Sequence, residues 1–329
     1  MAEEQRSTDT RGTSRRSALR AAVAGAGALT ATVAGAATAR ADGPGGGTPT
    51  FVLVHGSGSN SFYWQPLLRE LGLRGHRALA VDLPGHGLGA YLPESYQFPQ
   101  DLERLRTEPS PLSRVTLADF AAHVVGVVRR ARRNGPVVLV GSSLGGATLN
   151  AVANQVPELI AHLVYASAFC PTRHPSVLRL VMTPEGATSA MFRIPPVPTA
   201  PELGVSRVDW RSGDPAFFAA VKDSLAADRT DAEVRALMNI LEPDESAAVG
   251  ADEDARGLPD RWGRVPRTYV RYTQDRTIPL ALQDLMIREA DATTPHNPFR
   301  TRSLPAPHAG PRDPSLLADE LDLVARLCR

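Results

Sequence analysis

Apolar residues in this chain fall into short unbroken runs, each ending in glycine or a small polar residue. Residues 51–56 read FVLVHG, 77–87 read RALAVDLPGHG and 137–146 read VVLVGSSLGG. Two more runs follow the same design, LIAHLVYASAF at 159–169 and RTYVRYTQD at 267–275. Apolar runs of this length without polar alternation predict strands buried on both faces, as in a parallel sheet. Between them the period lengthens. Leu117, Phe120, Ala121, Val124, Val125 and Val128 fall at helical spacing. Ala147 to Val156 continues from the third run as a helix that Pro157 stops, and an amphipathic helix from Asp313 or Ser315 to Leu327 closes the chain. Strands alternating with helices predict an α/β fold, a doubly wound and mostly parallel sheet.

Two stretches break this rhythm. Residues 88–115 form a polar, proline-bearing insertion after the second strand. Residues 171–265 contain no clear strand, many prolines and apolar positions at helical spacing, as in 232–241. This second stretch follows the carboxyl end of a strand, where ligand crevices form in open α/β sheets. It is therefore expected to be a helical cap over the site. The expected organisation is an export signal at 1–41, a Gly/Pro linker at 42–50, core at 51–170, cap at 171–265 and core again at 266–329.

Composition narrows the function. The 329 residues are 43% apolar and 22% charged, with a formal net charge of +1, and Lys222 is the only lysine. No basic stripe exists, so nucleic acid is not an expected partner. The first 41 residues read differently. Ser14-Arg15-Arg16-Ser17-Ala18-Leu19-Arg20 precedes a run of small residues that ends Ala39-Arg40-Ala41. That is the pattern of a twin-arginine export signal with an A-x-A cleavage site, and Ala18 stands where such signals usually carry Phe. The Ala/Gly/Thr-rich run makes a poor membrane anchor. Export through the twin-arginine machinery and an extracellular or cell-envelope location are expected. Cys170 and Cys328 fall at opposite ends of the expected sheet, so no disulfide is expected between them.

The chemistry sits in the third run. Gly141-Ser142-Ser143-Leu144-Gly145 matches G-x-S-x-G between a strand and a helix, and the glycines select Ser143 over Ser142 as the nucleophile. There is no G-K-[ST] and no GxGxxG, so the turn is not read as a phosphate loop. No His/Cys spacing suggests a metal, and no cofactor is expected. A serine needs a base, and the base needs an orienting acid. In this motif's chain order the acid follows the serine and the histidine comes last. Asp275, just past a strand, is the candidate acid, although aspartate there also serves turns. His308, between the last strand and the last helix, is the candidate base. His162, inside a strand, His174, opening the cap, and His296, at the wrong end of the sheet, are set aside. The oxyanion donors expected are the backbone N–H of Leu144 and, from the HGSG loop after the first strand, that of Ser57.

Taken together, VLVHGSGSNSFYWQPL, AVDLPGHG, VLVGSSLGG, RTYVRYTQDRTIP and the final His before a closing helix resemble the α/β-hydrolase superfamily. Within it the resemblance is to the plant methyl-ester esterase and hydroxynitrile lyase group. It covers the core and not the cap. It implies an eight-stranded type of sheet lacking its first two strands, with a Ser–His–Asp triad falling on Ser143, His308 and Asp275. Lyases of that group carry Lys directly after the triad histidine and Thr in the oxyanion loop, where this chain has Ala309 and Gly56. The expected function is therefore a secreted serine hydrolase that cleaves a small-molecule carboxylic ester or lactone through an acyl-enzyme on Ser143. A carbon–carbon lyase and a non-catalytic ligand-binding protein of the same fold are the alternatives.

Overall fold

The computed structural model describes residues 47–251 and 253–328, so the expected export signal and the first half of the linker lie outside the described residues. The strands are β1 (Thr50–Val54), β2 (Arg77–Val81), β3 (Val137–Ser143), β4 (His162–Ala168), β5 (Val205–Arg207), β6 (Asp244–Ser246), β7 (Arg267–Tyr272) and β8 (Arg300–Leu304). The helices through the first half are α1 (Gln65–Leu73), α2 (Leu102–Leu105), α3 (Leu117–Ala131), α4 (Gly145–Gln155) and α5 (Val177–Val181). The remainder are α6 (Pro215–Leu225), α7 (Asp231–Ile240), α8 (Ala247–Gly250), α9 (Leu280–Thr293) and α10 (Ser315–Leu327).

Six strands make one sheet in the order β2-β1-β3-β4-β7-β8, and every neighbouring pair is parallel. The central strands are buried along almost their whole length because both faces are covered. Val52, Val54 and Leu139 face a layer built from α3, α4 and α9. Phe51, Leu53, Val138 and Val140 face α1 and α10. The edge strand β8, RTRSL, is exposed over four of its five residues and carries arginine there, which discourages pairing with another chain. Helix α3 begins on a reciprocal cap in which Thr116 and Asp119 satisfy each other's backbone N–H groups.

The cap differs from expectation in one respect. It contains a short antiparallel pair, β5 with β6, where the sequence shows no strand. Each strand has three residues, and VSR and DES carry too few apolar positions for a periodic signal. A buried ion pair stands in for apolar side chains: Arg207 donates from Nε and Nη2 to the two carboxylate oxygens of Asp244, at 2.5 and 2.8 Å. Arg207 also donates to the carbonyls of Leu105 and Glu108, which ties the cap to the 88–115 insertion. A separate apolar cluster of Phe217, Val221, Val234 and Met238 holds α6 to α7.

Both cysteines are free thiols, and burial pushes that of Cys170 up to about 12, so it stays protonated. Two histidines are buried as neutral rings. His162 lies in β4 against the Thr268 hydroxyl at 2.9 Å, and His55 ends at the tip of β1. Burial pushes both down to about 4. In the unfolded chain a histidine takes up its proton near 6.5, so acid favours unfolding: their contribution is complete above that pH and is lost between 6.5 and 4. Urea unfolding is predicted to show about 2 kcal/mol lost per histidine between pH 7 and pH 5. His162→Gln should remove its own share of that slope; an unchanged slope would assign the loss elsewhere.

Candidate active site

Strand β3 does not end in an ordinary turn. Ser143 adopts φ 50°, the left-handed region that non-glycine residues rarely occupy. The serine takes the strained conformation itself, and the glycines beside it serve another purpose. A Cβ on Gly145 would stand 2.6 Å from the carbonyl oxygen of His55, and one on Gly146 2.1 Å from that of Phe169. A Cβ on Gly141 would stand 2.7 Å from Leu149 Cδ1. The first turn of α4 is thus pressed against the ends of both neighbouring strands, and only glycine fits.

This places Ser143 Oγ 3.1 Å from His308 Nε2. On the far side of the ring, His308 Nδ1 lies 2.7 Å from Asp275 Oδ2. The carboxylate can only accept, so Nδ1 carries the proton and Nε2 is free to accept from the serine. Asp275 is fully buried in its side chain and is held in the turn after β7: its Oδ1 accepts the backbone N–H groups of Thr277 and Ile278 at 2.7 and 2.8 Å. The other histidines lie elsewhere. His296 is exposed ahead of β8, at the amino edge of the sheet, and His174 faces Glu289 at 3.3 Å.

Ser57 is exposed and follows Gly56, which abuts Ser143, and Leu144 is the N-cap residue of α4. The loop carrying Ser57 is fixed from beneath and from above. Beneath, the His55 ring donates from Nδ1 to the Gly56 carbonyl and accepts the Leu83 N–H at Nε2. Above, the cap grips the loop: Glu245 Oε2 accepts the Gly58 N–H at 3.0 Å, and the Glu242 N–H donates to the Gly58 carbonyl at 2.9 Å. Burial alone would raise Glu245, but His86 at 3.4 Å and the Gly58 N–H outweigh it and hold the carboxyl below its usual range. Gly56 leaves no room for a side chain, since a Cβ there would stand 2.6 Å from Ser143 Cβ.

The family described as "Alpha/beta hydrolase family" matches residues 51–320 of this chain. The chain belongs to that alpha/beta hydrolase family. It is similar to the pyrethroid hydrolase of Sphingobium wenxiniae, 26% identical over 266 residues that cover 78% of this chain and 80% of the relative. Methylesterase 2 of Arabidopsis thaliana is 32% identical over 145 residues, covering 41% of this chain and 48% of its own. Among solved structures, a pyrethroid hydrolase from Sphingobium faniae JZ-2 superposes with a TM-score of 0.63 at 22% identity, over 84% of this chain and 97% of that one. The plant resemblance is thus partial, while the pyrethroid hydrolase match runs through the cap as well.

Over Ser143 and His308 this alpha/beta hydrolase encloses a cavity of about 450 Å³. Its walls are cap side chains, chiefly Met191, Phe192, Val208, Trp210, Leu237 and Leu241. Ser57, Ser59, Ser206 and Thr277 supply hydroxyls, and among the described residues no carboxylate, arginine or lysine lines it. Tyr63 forms part of the wall, and desolvation pushes its hydroxyl up to about 12, so it remains a neutral donor. Among the described residues no three His, Cys, Asp or Glu side chains group as a metal site.

Sequence reasoning missed one residue in contact with these groups. Ser167 donates from Oγ to Asp275 Oδ2 at 2.6 Å. Its only signal was a hydroxyl between two alanines at the end of β4. The close approach of α4 yields a paired prediction. Gly146→Ala drives a Cβ into backbone and should cost about 3 kcal/mol in urea unfolding. Gly72→Ala, in α1 with nothing within 4 Å, should be neutral or stabilising. Equal effects would mean that the elbow is not tightly packed.

Proposed function

We propose that this alpha/beta hydrolase is an exported serine esterase acting on neutral, largely apolar carboxylic esters or lactones. The observation that carries the reading is the relay from Ser143 through His308 to Asp275, at 3.1 and 2.7 Å, opening into a cavity whose wall carries no acidic side chain, arginine or lysine among the described residues. In this reading His308 Nε2 takes the Ser143 proton as Oγ bonds to the acyl carbon. The carbonyl oxygen becomes an oxyanion held by the Leu144 and Ser57 N–H groups. The bond to the alcohol oxygen then breaks, and that oxygen leaves with the proton from His308. A water molecule, deprotonated by the same nitrogen, releases the acid and restores Ser143. Asp275 keeps the imidazole in the required tautomer and stabilises its charged form.

The relative named pyrethroid hydrolase matches across the cap as well as the core, and that match supports hydrolysis of an apolar substrate here. Cyanohydrin cleavage is disfavoured. It needs a cation beside the leaving cyanide, and Ala309 occupies the position after the histidine. A purely ligand-binding role leaves the complete relay without a use. Export rests on the twin arginines and the Ala39-Arg40-Ala41 pattern, and among the described residues no helix is long and apolar enough to cross a membrane.

Ser143→Ala and His308→Ala are each predicted to lower kcat/KM on p-nitrophenyl esters by about 10⁴-fold, with the double variant hardly worse. A fluorophosphonate should label Ser143. Full activity in His308→Ala, or cyanide release from cyanohydrins without ester turnover, would sink the assignment. For export, replacing Arg15 and Arg16 by Lys should retain an uncleaved precursor inside the producing cell, as read by fractionation and N-terminal sequencing. Normal secretion of that variant would exclude the twin-arginine route.

A further inference from the structure

Strands β3 and β4 are not in register to their ends. Ser142 pairs with Ala166 and Ser143 with Ala168, so Ser167 is an extra residue with no partner across the ladder. The side chains show the same phase change. Tyr165 and Ala168 pack on one face and Ala166 on the other, whereas regular alternation would put residue 167 on the face of Tyr165. Ser167 absorbs the irregularity with φ 42° while 1% exposed. A non-glycine residue is strained there, and such bulges characteristically re-aim a side chain.

The side chain is re-aimed at Asp275. Oδ2 accepts two bonds, from His308 Nδ1 at 2.7 Å and from Ser167 Oγ at 2.6 Å, while Oδ1 accepts two backbone N–H groups. All four lone-pair directions of the carboxylate are thereby filled. The two backbone donors fix one oxygen. Ser167 fixes the other, the one on which the imidazole rests.

Resting on the serine-esterase reading above, we propose that Ser167 is a positioning residue for the reaction. Its hydroxyl holds Asp275 Oδ2 in line with His308 Nδ1 and draws charge from that oxygen, which sets how readily the imidazole accepts and returns a proton. Other titratable groups face this pair. Tyr63 comes from the segment before α1, and Tyr269 and Tyr272 from β7; burial raises all three hydroxyls, so they stay neutral. Cys170 beyond Tyr269 is likewise protonated. Arg229, between α6 and α7, carries charge and donates to the Gly310 carbonyl beside the histidine at 3.0 Å. Arg276, next to Asp275, turns outward to Asp223. Ser167 is absent from the cavity wall, so it does not meet substrate.

The test compares Ser167→Ala and Ser167→Gly with the unaltered chain and with Ser143→Ala on one p-nitrophenyl ester across pH. Removing the hydroxyl leaves Oδ2 a stronger acceptor and favours the protonated imidazole. Both Ser167 variants are expected to lose about tenfold in kcat at unchanged KM. The acid limb of kcat/KM should move up by about half a pH unit in both. Glycine suits the left-handed backbone, so Ser167→Gly carries the test if the alanine variant folds poorly. If both yield little folded protein, the pH dependence of fluorophosphonate labelling reads the same limb on the folded fraction. A Ser167 variant with the original kcat and acid limb overturns the proposal, as does a kcat loss that leaves the limb in place, which marks packing alone. Activity surviving in Ser143→Ala would instead overturn the serine-esterase reading beneath it.

Discussion

The arrangement around the site depends on one contact, the approach of the first turn of α4 to the backbone of the strands on either side. Gly145 sits against the end of β1 and Gly146 against the chain leaving β4. With the helix start so close, the last residue of β3 has no room for an ordinary extended conformation and turns left-handed, which lifts Ser143 out of the sheet. The same crowding accompanies the slip of β4, where Ser167 is squeezed out of the ladder. Two strained serines on adjacent strands, at φ 50° and 42°, are the local expression of one packing decision. Strain of this kind persists only where the surroundings over-determine it. Here the surroundings are the most deeply buried part of the sheet.

A second layer of order comes from the cap. The chain from 242 to 246 lies across the loop after β1 and meets it with carboxylates and backbone together. Glu245 accepts the Gly58 N–H; Glu242 accepts from Asn60 Nδ2 and from the Gly87 N–H, both at 2.8 Å. Asp82, at the end of β2, accepts the Ser61 N–H at 2.7 Å. Three acids thus surround one short loop and leave its backbone little freedom, and the buried Arg207–Asp244 pair anchors the same cap strand to the 88–115 insertion. The sheet edge, the loop and the cap are joined by these contacts around the cavity.

Much of this was legible in the chain, for physical reasons that also mark its limits. Unbroken apolar runs announce buried parallel strands, and glycines on both sides of Ser143 announce a crowded strand-to-helix turn. Both are local signals. Asp275 and His308 could be picked out because a parallel sheet brings all its strand ends to one edge, so position after a strand translates into position in space. Ser167 could not. Its role arises from a register slip between two strands, and alternation within β4 gives no hint of it. The β5–β6 pair was hidden for the same reason: three polar-rich residues find partners 37 to 41 positions away in the chain. The two cap carboxylates that grip the loop after β1, Glu242 and Glu245, come from more than 150 positions away, beyond any motif.

The grip on that loop divides the cavity into two kinds of wall. Leu241 is followed directly by Glu242, whose backbone holds Gly58, so reshaping that wall also bears on the loop after β1. Met191 and Phe192 border the same space from a partly exposed 3-10 turn, about fifty residues before the 242–246 segment that holds the loop. Selectivity and rate are mechanically coupled on the first wall and separable on the second. A lineage or an engineer adapting this scaffold to bulkier molecules has a free parameter at 191–192, and meets a trade-off at 241.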